Sequence, residues 1–183
     1  MSIFSGLAPP SLPLEGEYLA ELLDAGTGMN NMLATLGFGN PVLPGFWVGK
    51  GFCSEGDIGR SKGYNLFMVQ GEGQGESVGM ERNTEGRLVR KYHMTTQAQA
   101  PSFWDKNPSL ELDYRGMQHF LGRMGMRDEV REVVPGLYLG LGSFGARESR
   151  KSQALPFLLR GPFRPPLPLG EVLLLDGDGD EWD

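Results

Sequence analysis

From Gly45 onward the chain is a succession of short segments, each bounded by Gly, Pro, Asn or Asp. Within the segments at 87–96 and 109–116, apolar and polar side chains alternate, which is the period of a β-strand that packs one face on a core. No helical crossover separates the segments, so the pattern predicts a meandering antiparallel sheet. The predicted strands are residues 45–52, 64–71, 76–82, 87–96, 109–116, 137–145 and 155–161.

The number and the positions of the glycines predict that this sheet coils and closes on itself. The chain has 28 glycines among 183 residues, about twice the usual share of roughly 7 %, and several, such as Gly140 and Gly142, lie inside predicted strands. Because glycine weakens a flat strand, we expect bends and bulges there, where a sheet coils on itself. We therefore predict a mainly β protein with a single antiparallel β-barrel of about eight strands. Residues 117–132 fit either a helix or a strand pair.

The N-terminal region is predicted to be helical. Leu14, Tyr18 and Leu22 follow one another at helical spacing over residues 14–24, acidic residues lie near the start, and Gly26 is a suitable stop. A second short helix over residues 29–36 also fits the pattern, so one or two N-terminal capping helices are predicted. The predicted organisation is an N-terminal helical cap at 1–44, a β-barrel domain at 45–161, and a Pro-rich and acidic C-terminal tail at 162–183.

Composition excludes several classes of function. The formal net charge of −6 argues against a nucleic-acid binder, which needs a basic face. A single cysteine, Cys53, and two histidines exclude an internal disulfide, a cysteine-rich zinc module and an all-histidine zinc site, so no metal site is predicted. No apolar run is long enough for a membrane span, and there is no signal-peptide pattern. We expect a cytoplasmic or other reducing soluble compartment.

A G-x-W-x-G motif, Gly45-Phe46-Trp47-Val48-Gly49, opens the first predicted strand. Glycines beside a tryptophan let the backbone pass close to packed elements, while the indole fills one end of a barrel. The motif resembles the opening of lipocalin-like barrels, and more narrowly that of the GXWXG domain family, which continues into an adjoining domain of unknown function. Four later segments follow the family's order: Tyr114-Arg115-Gly116, Met126-Arg127-Asp128, Leu137-Tyr138-Leu139-Gly140 and Pro156-Phe157-Leu158-Leu159.

This resemblance spans roughly residues 45–160 and implies a lipocalin-like (calycin) barrel that holds a ligand. Residues 117–125 have no counterpart in the family's pattern, and residues 71–107 match no part of it. The motif is also similar to the opening of nitrobindin-like barrels, which bind haem through a histidine. His93 and His119 are the two available axial ligands, and neither occupies the late position that this second resemblance implies.

The function predicted for such a barrel is non-catalytic binding of a small hydrophobic or amphipathic ligand, such as a lipid, a fatty acid or a tetrapyrrole. Arg115 is expected to hold an anionic end of the ligand, and Arg160 to stack on Trp47. The charges at 127–132 are expected to form a solvated turn or helix face. Alternation within 87–96 places Leu88, Arg90, Tyr92 and Met94 on one face of their strand. The predicted lining residues are Trp47, Tyr92, Met94, Tyr114, Arg115 and Tyr138.

Two other classes of function stay open. The chain can be an interaction or assembly protein with a filled barrel, which docks on a partner through its surface or its C-terminal tail. It can also be an isomerase or lyase that uses Tyr and His as acid and base, although no catalytic residue is assigned. The sequence does not name a cofactor.

Overall fold

The computed structural model describes residues 2–23, 39–40, 45–54, 60–70, 76–79, 85–114, 118–119, 122–123, 126–144 and 154–167. Within these ranges no helix is long and apolar enough to cross a membrane. The elements are α1 (Ser2–Ser5), β1 (Gly16–Leu22), β2 (Gly39–Asn40), β3 (Gly45–Cys53), β4 (Arg60–Gln70), β5 (Glu76–Gly79), β6 (Glu85–Pro101), β7 (Pro108–Asp113), β8 (Gln118–His119), β9 (Gly122–Arg123), β10 (Met126–Val134), β11 (Leu137–Phe144) and β12 (Leu155–Arg164).

Eight of these strands close into an antiparallel β-barrel. Their order around the barrel is β1, β12, β11, β10, β7, β6, β4 and β3, and pairing of β3 with β1 completes the circle. The short strands β2 and β5 pair with β3 and β6, and β8 pairs with β9 apart from the barrel. Each of the seven predicted strands overlaps an observed one, and the closure of β3 on β1 confirms the predicted antiparallel barrel.

The helix predicted over residues 14–24 is wrong, because this segment contains the strand β1. Tyr18 is buried in the barrel, and Ala20 and Leu22 pack against the same core, a spacing of two that the helical interpretation overlooked. Leu19 pairs with both Gly49 and Arg160, so β1 joins the free edges of β3 and β12. A helix here would leave both edges without hydrogen-bond partners. The helix predicted over 29–36 lies outside the described residues.

Residues that precede β1 close one end of the barrel. Leu14 is buried in the inner core and Leu12 packs against it. Close to them the rings of Tyr18 and Tyr138 meet edge to face, with centroids 5.7 Å apart. This end of the barrel is therefore filled by side chains from the segment that was assigned to a helical cap. At the opposite end of the barrel, β1 ends at Leu22 and β10 begins at Met126.

Bulges in β3 and β6 decide which side chains point inward. The register of β3 against β4 shifts between Trp47 and Gly49, so Trp47 and Lys50, three residues apart, both reach the interior. The register of β4 against β6 shifts between Gly63 and Asn65, opposite Tyr92, whose φ is 56°. A bulky residue rarely adopts that left-handed backbone outside such an irregularity.

The bulge in β6 overturns the predicted face of this strand. Tyr92 and Met94 pack with the inner core, but Leu88 belongs to a separate group on the outside of the barrel. Arg90 also points outward and pairs with Glu17, at 2.6 Å from Nε to Oε1. Strict alternation fails because one extra residue exchanges the two faces of the strand.

Two parts of the outer surface are covered by the chain's own segments. An outer cluster, defined by Cys53, Tyr64, Leu66 and Leu88, packs against Leu167. The backbone N–H of Leu167 donates to Tyr64 Oη at 3.0 Å, and Cys53 Sγ donates to the Leu167 carbonyl at 3.1 Å. The strand β12 continues to Arg164, past the predicted boundary at 161, and Leu167 lies on the barrel.

The second covered surface is the outer face of β10. Arg131 is fully buried there, forms two 2.7 Å hydrogen bonds to the carboxylate of Asp105, and lies 4.3 Å from the centre of the Phe4 ring. Glu129 is also fully buried and accepts a hydrogen bond from the backbone N–H of Phe103 at 2.6 Å. The solvated turn or helix face predicted at 127–132 is wrong, because α1 and the turn after β6 cover these charges.

Glycine inside β11 makes room for a ring and is not at a bend. A Cβ atom built on Gly140 would lie 2.1 Å from Phe157 Cζ, far inside van der Waals contact. We expect Gly140→Ala to lower the free energy of unfolding by about 1–3 kcal/mol, the usual cost of overpacking. Urea denaturation measures this, and Phe157→Leu is expected to recover part of the loss in the alanine background. Unchanged stability of Gly140→Ala would contradict the described packing.

Candidate functional site

A group of polar side chains lies inside the apolar barrel. Lys50 comes from β3, Asn65 from β4 and Asp128 from β10, while Tyr114 follows directly after β7. Each is at most 5 % exposed. Burial of polar and charged groups is costly unless they are paired, so this central polar cluster (Lys50, Asn65, Tyr114, Asp128) is the feature of the interior that packing alone does not account for.

Lys50 is the hub of the central polar cluster. Its Nζ lies 2.8 Å from Asp128 Oδ2 and 2.9 Å from Asn65 Oδ1, and it also donates to Tyr114 Oη. An ammonium group has three N–H donors, and the three oxygens take all of them. Burial lowers the pKa of Lys50, and the opposite charge of Asp128 partly offsets that effect.

Tyr114 and Asn65 complete the network around the ion pair. The Tyr114 hydroxyl donates to Asp128 Oδ2 at 3.2 Å, and burial together with the Asp128 charge raises the pKa of Tyr114 well above its ordinary value. Asn65 Oδ1 also accepts the indole N–H of Trp47 at 3.0 Å, and Asn65 Nδ2 donates to the Tyr92 carbonyl at 3.1 Å. Every donor atom of the cluster therefore has an acceptor.

Aromatic rings surround the ammonium group. Lys50 Nζ lies 5.0 Å from the centre of the Trp47 ring and 5.4 Å from that of Phe157, within the range of a cation–π contact. The rings of Trp47 and Phe157 meet edge to face at 5.5 Å. The cation over Trp47 was predicted to be Arg160, but that side chain is exposed. Lys50 provides the contact from inside the barrel.

A small cavity of about 10 Å³ adjoins the central polar cluster. A buried water needs roughly 10–15 Å³ by the same measure, so the space has the size of one small polar group. Asp128 Oδ1 is fully buried and has no hydrogen-bond partner among the described residues. The lining residues are Leu22, Trp47, Lys50, Met126, Asp128, Gly142, Leu155 and Phe157.

The structure distributes the predicted lining residues along the barrel. Trp47 lines the cavity, and Tyr114 contacts the two charged residues beside it. Met94 is buried deeper in the core, and Tyr138 lies at the end closed by Leu14. Tyr92 packs edge to face on Phe67 at 5.5 Å. Arg115 lies outside the described residues, so its predicted contact with an anion stays a prediction.

Sequence reasoning missed the charged residues of the site. Strict alternation from Trp47 puts Lys50 on the outer face, and only the bulge in β3 brings it inside. Asp128 was assigned to solvent because its neighbours are charged. One signal was available, since Met126, Asp128 and Val130 alternate with Arg127, Glu129 and Arg131, and this spacing places a carboxylate on an apolar strand face.

The residues considered for haem or metal binding are not gathered at this site. His93 lies on β6 and is buried, and burial lowers the pKa of its imidazole. For His119 the structure describes only the backbone, in β8. Across the described ranges, no three side chains of His, Cys, Asp or Glu come together in a group that could hold a metal ion.

Comparisons with models of protein families, with curated proteins and with solved structures found no match for this chain. The resemblance to the GXWXG domain family therefore stays a prediction from the motif.

The ion pair itself is open to test. We expect Lys50→Met to lower the free energy of unfolding by about 3–5 kcal/mol, because it leaves the Asp128 carboxylate buried without its counter-charge. The double variant Lys50→Met/Asp128→Leu is expected to regain most of this loss. Urea denaturation of both variants measures the effect, with Lys106→Met at an exposed site as the matched control. Equal losses of unfolding free energy in the single and double variants would contradict the expected cost of an unpaired Asp128.

Proposed function

We propose that this protein binds a small amphipathic molecule without transforming it, and that the polar end of the molecule reaches the central polar cluster. The observation that carries this proposal is the buried Asp128 Oδ1 atom beside a cavity with mainly apolar walls. A concave apolar site with a few convergent polar groups is the usual form of a small-molecule site.

The energetics of the interior support this proposal. An ion pair in a core is often no more stabilising than apolar residues of the same volume. A barrel that served only as a scaffold could have apolar residues in place of Lys50 and Asp128 without loss of stability. Ionisable groups that have shifted pKa values and converge on a cavity are more frequent at functional sites than elsewhere.

The size of the cavity limits the class of ligand. The described cavity has room for one small polar group, and Leu22, Met126 and Leu155 form part of its wall. The apolar body of a ligand must therefore displace some of these side chains or extend past them. An aliphatic chain is narrow enough to pass between side chains, whereas a tetrapyrrole would have to displace strands. Among the ligands expected from the sequence, we therefore favour those of the lipid class.

Native mass spectrometry of the purified protein, with organic extraction and an absorbance spectrum, tests this function. We expect a bound mass of a few hundred daltons, or its uptake from a mixture of fatty alcohols and fatty acids. Leu22→Ala, which changes the cavity wall, is expected to alter the retained chain lengths. Leu19→Ala is the control, because Leu19 is exposed on the same strand. A clean mass without uptake from the mixture argues against the proposal, and a visible absorbance band would favour a tetrapyrrole.

A second candidate, an assembly protein that binds through its C-terminal tail, is favoured by one observation. Leu167 is anchored on the outer cluster by two hydrogen bonds and by packing. Leu167 therefore connects the acidic residues that follow it in sequence to a defined position on the barrel. Acidic segments attract basic partners, with a strength that falls as salt rises.

This candidate predicts that a chain truncated after Leu167 keeps its fold but loses binding to an oligolysine peptide, while the full chain binds that peptide in a salt-dependent manner. Isothermal titration calorimetry measures the binding, and thermal denaturation confirms the fold. A longer deletion from 162 is unsuitable because it removes Arg164, which pairs with Glu17 in β1. Equal binding by both chains would exclude the tail as the docking element.

A further inference from the structure

We infer that the site selects a ligand whose polar end is a neutral hydrogen-bond donor, a hydroxyl or an amide N–H, over one that ends in a carboxylate or in an acceptor-only group. This inference deepens the proposed function and rests on it. It follows from the donors and acceptors of the central polar cluster and from the space in front of Asp128.

The first step is the balance of hydrogen bonds. Trp47 Nε1, Lys50 Nζ, Asn65 Nδ2 and Tyr114 Oη are the donors of the site, and each already has an acceptor. Asp128 Oδ2 accepts from both Lys50 and Tyr114. Among the residues that line the cavity, the buried polar side-chain atom without a partner in the described part of the chain is Asp128 Oδ1, which is an acceptor. A ligand that satisfies it must bring the hydrogen.

The second step is the space in front of this oxygen. Gly142 pairs directly with Asp128 across β10 and β11 and also lines the cavity. A Cβ atom on Gly142 would lie 2.8 Å from Asp128 Oδ1, at the distance of a hydrogen-bonded atom. Every other residue type would place a carbon atom where a donor of the ligand can approach.

The third step is charge. Lys50 and Asp128 form a pair with no net charge. A carboxylate in the cavity would bring a second negative charge close to Asp128, and an ammonium would bring a second positive charge close to Lys50. Burial of an uncompensated charge is costly, so a neutral donor suits this environment best. The geometry thus favours a different ligand end from the anion that was expected from Arg115.

Three eight-carbon probes separate these possibilities: 1-octanol, its isomer methyl heptyl ether, and octanoate. All three have a similar apolar body, but only the alcohol is neutral and has a donor. We expect 1-octanol to bind the full chain at least about tenfold more tightly than either of the others, because they leave a buried acceptor unsatisfied. Competition experiments followed by native mass spectrometry or calorimetry at pH 7 give the ratios.

Two variants assign the preference to Asp128. Gly142→Ala puts a methyl group in front of Oδ1 and is expected to bring the ratio of alcohol to ether close to one. Asp128→Asn is expected to do the same by another route, because Lys50 retains the amide oxygen and the NH₂ group turns toward the cavity as a donor. Gly6→Ala, at an exposed turn, is the matched control and should keep the full preference.

The possible results separate the inferred donor specificity from the proposed binding function. Binding of the three probes with equal affinity, or tighter binding of octanoate, overturns the inferred donor specificity and leaves the binding function standing. A preference for the alcohol that persists in both variants also overturns it. Failure of the full chain to bind any probe overturns the binding function and the specificity together. If Asp128→Asn does not fold, Gly142→Ala alone decides the assignment.

Discussion

The ion pair between Lys50 and Asp128 is the interaction on which the interior of this barrel depends. Once two charges are removed from water, each needs further partners, and the positions of Asn65 and Tyr114 meet this requirement. Asn65 in turn holds the indole N–H of Trp47. A chain of hydrogen bonds therefore joins β3, β4, β10 and the residue that follows β7 across the interior, and it fixes the indole ring that was expected to fill one end of the barrel.

Closure of the sheet is the second constraint, and it explains the N-terminal region. The leucines of residues 14–24 fit a helix and a strand about equally well, so local propensity does not decide between them. The strand conformation is decided by the open edges of β3 and β12, because β1 provides hydrogen-bond partners for the backbone groups of both strands. Tertiary hydrogen bonding overrode the helical spacing, and the barrel begins at Gly16 and not at Gly45.

The site was less predictable than the fold because it depends on irregular backbone. Trp47 and Met94, both named as lining residues, are buried in the interior, but alternation cannot foresee a bulge. One extra residue in β3 turns Lys50 inward, and another in β6 separates Leu88 from Tyr92. In a sheet a shift of one residue exchanges the two faces. Lys50 was therefore absent from the predicted lining residues, and Asp128 was missed because its charged neighbours suggested a solvated face.

The sequence by itself determined the architecture, because glycine-bounded segments with a period of two and without helical crossovers leave few alternatives to a closed antiparallel sheet. It also determined that Gly140 and Gly142 have a special role, although their reason is close approach of other side chains and not bending. Only the tertiary structure decided which polar groups meet inside. Lys50 and Asp128 are distant in sequence, and their contact depends on strand register, bulges and closure, which are set by the sum of pairings around the whole barrel.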